Sequence, residues 1–254
     1  MFLHPFFQHT HTMKLFTAVK RQIPNLITLG NLTCGVVACF MASQGFLQSA
    51  AVWICLGIFL DFFDGLAARL LGVASPIGKE LDSLADVVTS GVAPGLILFQ
   101  MGSLLSGCYG CPDYLEAVGY LALLTPAFAA YRLAKFNLDT RQSHSFLGLP
   151  APANALIWVG IALQETATLS PAWVVTILCV SVATGILMVS ELPMFSLKFN
   201  FKDLSWKTNS VQYIFLIGCA IIIGLTRQWY AISLIILWYI IFSIISQRKH
   251  PAHD

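Results

Sequence analysis

Residues 61–86 hold four aspartates, in a chain whose charged fraction is only 10%. The stretch reads Asp61-Phe62-Phe63-Asp64-Gly65-Leu66-Ala67-Ala68-Arg69, followed after a spacer by Gly78, Asp82 and Asp86. On a helix turning by about 100° per residue, Asp61, Asp64, Gly65, Ala68 and Arg69 share a face roughly 140° wide. Gly78, Asp82 and Asp86 recur at every fourth position, so they share a face of the next helix. Two such helices side by side aim four carboxylates at one point. Clustered anions repel unless a positive charge sits between them. Oxygen-only ligation suits a hard divalent cation, Mg²⁺ or Mn²⁺. Ionisable groups at membrane depth are expensive, and four in register read as a functional site.

The elements that must position them are transmembrane helices. Hydrophobic residues make up 57% of the 254 residues, and the mean hydropathy is +0.76. Apolar runs of about 20 residues recur along the chain, the length that crosses a bilayer. The expected fold is all-α, a polytopic bundle of eight spans near residues 23–44, 48–70, 78–105, 114–134, 150–166, 171–190, 210–226 and 229–246. Residues 1–22 read as a loose extension and an interfacial segment, 23–246 as one transmembrane domain, and 247–254 as a tail. Eight spans place both termini on one side. That side then carries every one of the 14 basic residues except Arg227, which sets it in the cytoplasm and points the acidic stretch there too. The net charge of +2 gives no reason to expect a nucleic-acid partner.

Smaller features fill in the reading. Asn25 and Thr28 follow Pro24, share a face near a helix's positive end, and favour a phosphate. Gly30, Asn31 and Gly35 permit close helix approach. Cys34, Cys39, Cys55, Cys179 and Cys219 lie in apolar runs as packing residues. Cys108 and Cys111 form a CxxC in a polar loop, where a disulfide needs an oxidising compartment.

The spacing of Asp61, Asp64, Gly65, Ala68, Arg69, Gly78, Asp82 and Asp86 resembles, without departure, the signature of the CDP-alcohol phosphotransferases. The resemblance implies that a hydroxyl attacks a phosphorus of a CDP-linked substrate and CMP leaves. It implies two divalent ions, Mg²⁺ or Mn²⁺, on Asp61, Asp64, Asp82 and Asp86, with Asp86 also the general base. Asn25, Thr28, Gly65, Ala68, Arg69, Ser75 and Gly78 then cradle the CDP-lipid. A homodimer in the cell (inner) membrane is expected on the same ground.

The acidic motif leaves the acceptor open. The segments Pro24–Asn31 with Cys34-Gly35, Arg132–Asn137 and Gly148–Ala153 resemble family members that join CDP-diacylglycerol to L-serine. Serine needs a cation and a hydrogen-bond acceptor, and Arg132, Lys135 and Asn137 are the residues expected to bind it. Glycerol 3-phosphate, an inositol phosphate or choline are the alternative acceptors. An ion-coupled transporter is the alternative of a different class, although no inverted repeat is apparent. Lys198, Lys202 and Lys207 could attract anionic headgroups, and His144 reads as a solvated loop residue.

Overall fold

A computed structural model describes residues 5–103, 119–139, 146–164, 170–194 and 206–249. Cys108, Cys111, Arg141, His144, Lys198 and Lys202 lie outside the described residues. The fold is an all-α membrane bundle. Among the described residues, five helices are long and apolar enough to cross a membrane.

Helix α1 (Pro5–Ser43) is one continuous helix with Pro24 inside it, and its stretch apolar and long enough to cross a membrane is Gln22–Ser43. Proline removes one backbone donor, a loss that membrane helices tolerate where side chains take up the freed groups. Here the donor lost is the one that would reach the Lys20 carbonyl, four residues back in the same helix. Gly45 then turns the chain with φ +82, and helix α2 (Leu47–Leu71) returns antiparallel along α1. Ala38, Ala42, Ala50 and Ala51 are fully buried in these two helices, so small side chains let the backbones close up.

The turn after α2 is fixed by its sequence. Gly72 takes the left-handed conformation that ends a helix (φ 63), and the Val73 N–H donates to the Ala68 carbonyl. Ser75 then caps helix α3 (Pro76–Ser103), its hydroxyl accepting from the Gly78 N–H at 3.1 Å, with Pro76 in the first turn. Helix α3 is α-helical to Asp86, π-helical over Val87–Val92 and α-helical again over Ala93–Ser103. The sequence predicts the span but not the π segment.

Helix α4 (Leu124–Leu138) follows a 3₁₀ turn over Tyr120–Leu123 and packs on the π segment of α3. Helix α5 (Ala151–Ala162) is short, about 18 Å at 1.5 Å per residue. It is apolar all round and mostly buried, wedged between α2 and the last helix, which is how such a helix avoids water and lipid alike. Helices α6 (Pro171–Val189), α7 (Trp206–Thr226) and α8 (Ala231–Lys249) complete the bundle. A two-residue antiparallel pair, Phe146–Leu147 with Pro193–Met194, ties the approach to α5 to the exit from α6. Gly148 beside it has φ +73, and a Cβ there would strike the Met188 carbonyl. Cys34 is buried and Cys39, Cys55 and Cys219 are half-buried, as expected of packing residues, whereas Cys179 is exposed on the bundle's outer surface.

Candidate active site

The α2–α3 turn brings the two acidic faces together. One carboxylate oxygen from each of Asp61, Asp64 and Asp82 lies within 4.8 Å of the others. Asp61 stands close to Asp82 and also feels the charges of Asp64 and Asp86. Asp64 is buried, and the Thr28 hydroxyl donates to its Oδ2 at 2.6 Å. Asp86 is buried one turn deeper along α3, where the Asn31 amide Nδ2 donates to its Oδ1 at 3.3 Å. The three-oxygen cluster does not include Asp86, which neighbours it from deeper in the bundle.

Does this set fit a divalent cation? Asp82 Oδ1 is buried without a hydrogen-bond partner, an expensive state for an anionic oxygen. Three converging carboxylates with an unsatisfied oxygen are the donor chemistry of a hard cation, so the residues could hold a metal ion.

Outside the carboxylates opens a cavity of about 250 Å³. All seven residues expected to cradle the CDP-lipid line it: Asn25 and Thr28 from α1, Gly65, Ala68 and Arg69 from α2, Ser75 and Gly78 from the start of α3. Its floor includes Asp64 and Asp82. Arg69 stands over the missing side chain of Gly65, its Nε donating to the Gly65 carbonyl at 2.9 Å. A Cβ at Gly78 would lie 3.2 Å from Asn25 Oδ1, so glycine lets α1 and α3 meet at the rim. Lys79 also lines the cavity and was not anticipated; its signal was only a basic residue inside the acidic stretch.

The three residues expected to bind the acceptor each have a partner of their own. Arg132 is buried, faces Asp86 electrostatically and stacks its guanidinium 5.3 Å from the Phe136 ring. Lys135 instead pairs with Glu191 at 3.1 Å. Asn137 donates to Ser83 Oγ at 2.9 Å, and its carbonyl accepts from Lys79 Nζ at 3.1 Å, which ties α4 to α3. Asn31 is the residue whose place at the site was missed. Its signal was spacing: 25, 28 and 31 continue one stripe down α1.

The second and third helices thus bring three aspartates together beside one cavity, an arrangement that could hold a cation and an anionic ligand. Residues 21–187 match the model of the CDP-alcohol phosphatidyltransferases, and the chain belongs to that family. It is similar to proteins named CDP-diacylglycerol–serine O-phosphatidyltransferase from several organisms. The Mycobacterium leprae protein is 32% identical over 93% of this chain and 79% of its own length. The Helicobacter pylori protein (strain 26695) is 33% identical, covering 87% and 89%. The Bacillus subtilis protein is 40% identical over 51% of this chain and 69% of its own.

Proposed function

We propose that the protein transfers the phosphatidyl group of CDP-diacylglycerol to the hydroxyl of L-serine, giving phosphatidylserine and CMP. The observation that carries this reading is the acidic cluster opening into one cavity lined by the whole expected CDP cradle. The relatives' shared name supports serine as the acceptor.

Asp61, Asp64 and Asp82 are the residues that would hold divalent cations, with Asp86 reaching the second of two. When bound, Mg²⁺ or Mn²⁺ neutralises the pyrophosphate and makes the attacking hydroxyl more acidic. The chain's own residues do the positioning. Asn25, Thr28 and Ser75 offer polar groups to the CDP phosphates, and Arg69 offers a forked pair of donors. Gly65, Ala68 and Gly78 keep the cavity wall low enough for the nucleotide to lie against backbone. Asp86 accepts the serine hydroxyl proton. The serine oxygen forms a bond to the lipid-linked phosphorus, the bond from that phosphorus to CMP breaks, and CMP leaves with the electron pair. Phosphoryl transfer of this kind depends mainly on alignment and charge stabilisation.

Arg132 receives the serine carboxylate from the inner side. Lys135 and Asn137, one turn nearer the helix end, flank its entry. Residues 23–246 form the transferase domain, the site faces the cytoplasm of a cell (inner) membrane, and the active form is a homodimer. The basic residues gathered on one side support that orientation, and the family resemblance supports the dimer.

The test is an acceptor panel. Purified protein is given CDP-diacylglycerol, a divalent cation and, separately, labelled serine, glycerol 3-phosphate, inositol phosphate or choline. CMP release with serine alone, together with labelled phosphatidylserine, is the expected result. Release with another acceptor and none with serine contradicts the serine reading. No release with any acceptor contradicts the transferase reading as well.

A further inference from the structure

We propose that Asn31 is a positioning residue for Asp86, holding the base's carboxylate in the rotamer that faces the acidic cluster. The inference rests on the role given to Asp86 above.

Asn31 sits in the apolar part of α1 and is fully buried. An amide at that depth is costly unless both ends are bonded. Its Nδ2 donates to Asp86 Oδ1, while its Oδ1 has no partner. The polar contact of this side chain is therefore spent on Asp86 alone. The amide also has one permitted orientation, because turning it over would set its oxygen against the carboxylate. With Oδ1 of Asp86 held by Asn31, the carboxylate is restrained from turning about its last bond.

The backbone of Asn31 grips the same helix. Its carbonyl accepts from the Thr89 hydroxyl at 3.1 Å, in the π segment that begins directly after Asp86. Thr89 cannot shift. A Cβ at Gly35 of α1 would meet the Thr89 hydroxyl and lie 3.0 Å from its backbone. A Cβ at Gly57 of α2 would lie 2.6 Å from Thr89 Cγ2 and 2.9 Å from Asn31 Oδ1. Three helices thus close around one asparagine and one threonine. The π turn widens α3 at that level and brings Thr89 onto α1, a use of π segments common at functional sites.

Asn31 touches neither the cavity nor the three-oxygen cluster, so its effect should pass through Asp86 and fall on turnover. Two variants test this: Asn31→Leu, similar in size but without a donor, and Asn31→Asp, isosteric but anionic. Each is purified with wild type, and kcat, KM for CDP-diacylglycerol and for the acceptor, and melting temperature are measured by CMP release and thermal unfolding. The expected result is a kcat lowered about tenfold or more in both, with both KM values within about threefold of wild type. At least one variant should melt within about 4 °C of wild type, a shift of roughly 1 kcal/mol or less for a chain of this size. A smaller fall in kcat, a loss carried by KM, or both variants unfolding or melting well below wild type would overturn the proposal in favour of simple packing. Wild type is assayed with whichever acceptor of the panel it uses. A failure of serine as acceptor therefore shows in the wild-type row, and a failure of the Asn31 role shows in the variants.

Discussion

Asp64 and Thr28 meet across the α1–α2 interface at 2.6 Å, a short contact of the kind a charged acceptor makes. Removing the hydroxyl with Thr28→Val leaves a buried carboxylate oxygen without its donor, at a cost of about 1–3 kcal/mol to the site. We expect turnover to fall roughly tenfold or more, read as CMP release, with divalent-cation affinity weakened alongside. Arg132 differs in kind from the aspartates, because it is the buried cation on the inner side of Asp86. Arg132→Ala should raise the serine KM about tenfold or more and leave CDP-diacylglycerol KM nearly unchanged. An unchanged serine KM would reject Arg132 as the acceptor's anchor. Lys135→Ala should do far less, since its exposed pair with Glu191 is of the weak class.

At the scale of elements, the contact between α1 and the π segment decides whether the acidic faces stay in register. Gly35→Ala would drive a methyl group into Thr89 where backbone, and not only a flexible side-chain end, stands in the way. Overpacking of this kind costs about 1–3 kcal/mol. A lower melting temperature together with lost turnover is the expected outcome; wild-type values for both would show that the helices have slack here. The helices α2 and α3, and the faces their aspartates share, were legible because a carboxylate repeat at three and four residues reads directly as one side of a helix. The turn between them was legible too, since Gly72, Ser75 and Pro76 each have a conformational reason to be there. The π segment was not, because Thr89, Ser90 and Gly91 inside an apolar span are equally compatible with an ordinary α-helix. Its geometry answers to Gly35 and Gly57 on other helices, which are brought near only by packing. Pro24 misled for a related reason: as a lone signal it marks a helix start, but α1 runs through it.

For the whole molecule, the sequence gives a bundle and an expected orientation with more ease than it gives partners in space. Hydropathy locates spans one at a time, whereas Lys135–Glu191 and Asn137–Ser83 join residues more than fifty positions apart. Those distant pairs give Lys135 and Asn137 partners that no reading of one span at a time can name. The orientation itself is testable: in a chain whose seven native cysteines are replaced by alanine or serine, a single cysteine introduced at Glu80, beside the site, should react with membrane-impermeant maleimide only after the membrane is opened. Labelling in sealed cells would place the site on the outer face.

On the proposed mechanism, Asp61, Asp64 and Asp82 share divalent cations that the reaction needs. Mn²⁺ bound to the purified protein, counted by electron paramagnetic resonance beside CMP release, tests it most directly. We predict that Asp64→Asn and Asp82→Asn each lose bound Mn²⁺, and that turnover falls with it by on the order of 10²-fold or more. Full Mn²⁺ binding in both variants, or undiminished turnover in either, would contradict the account.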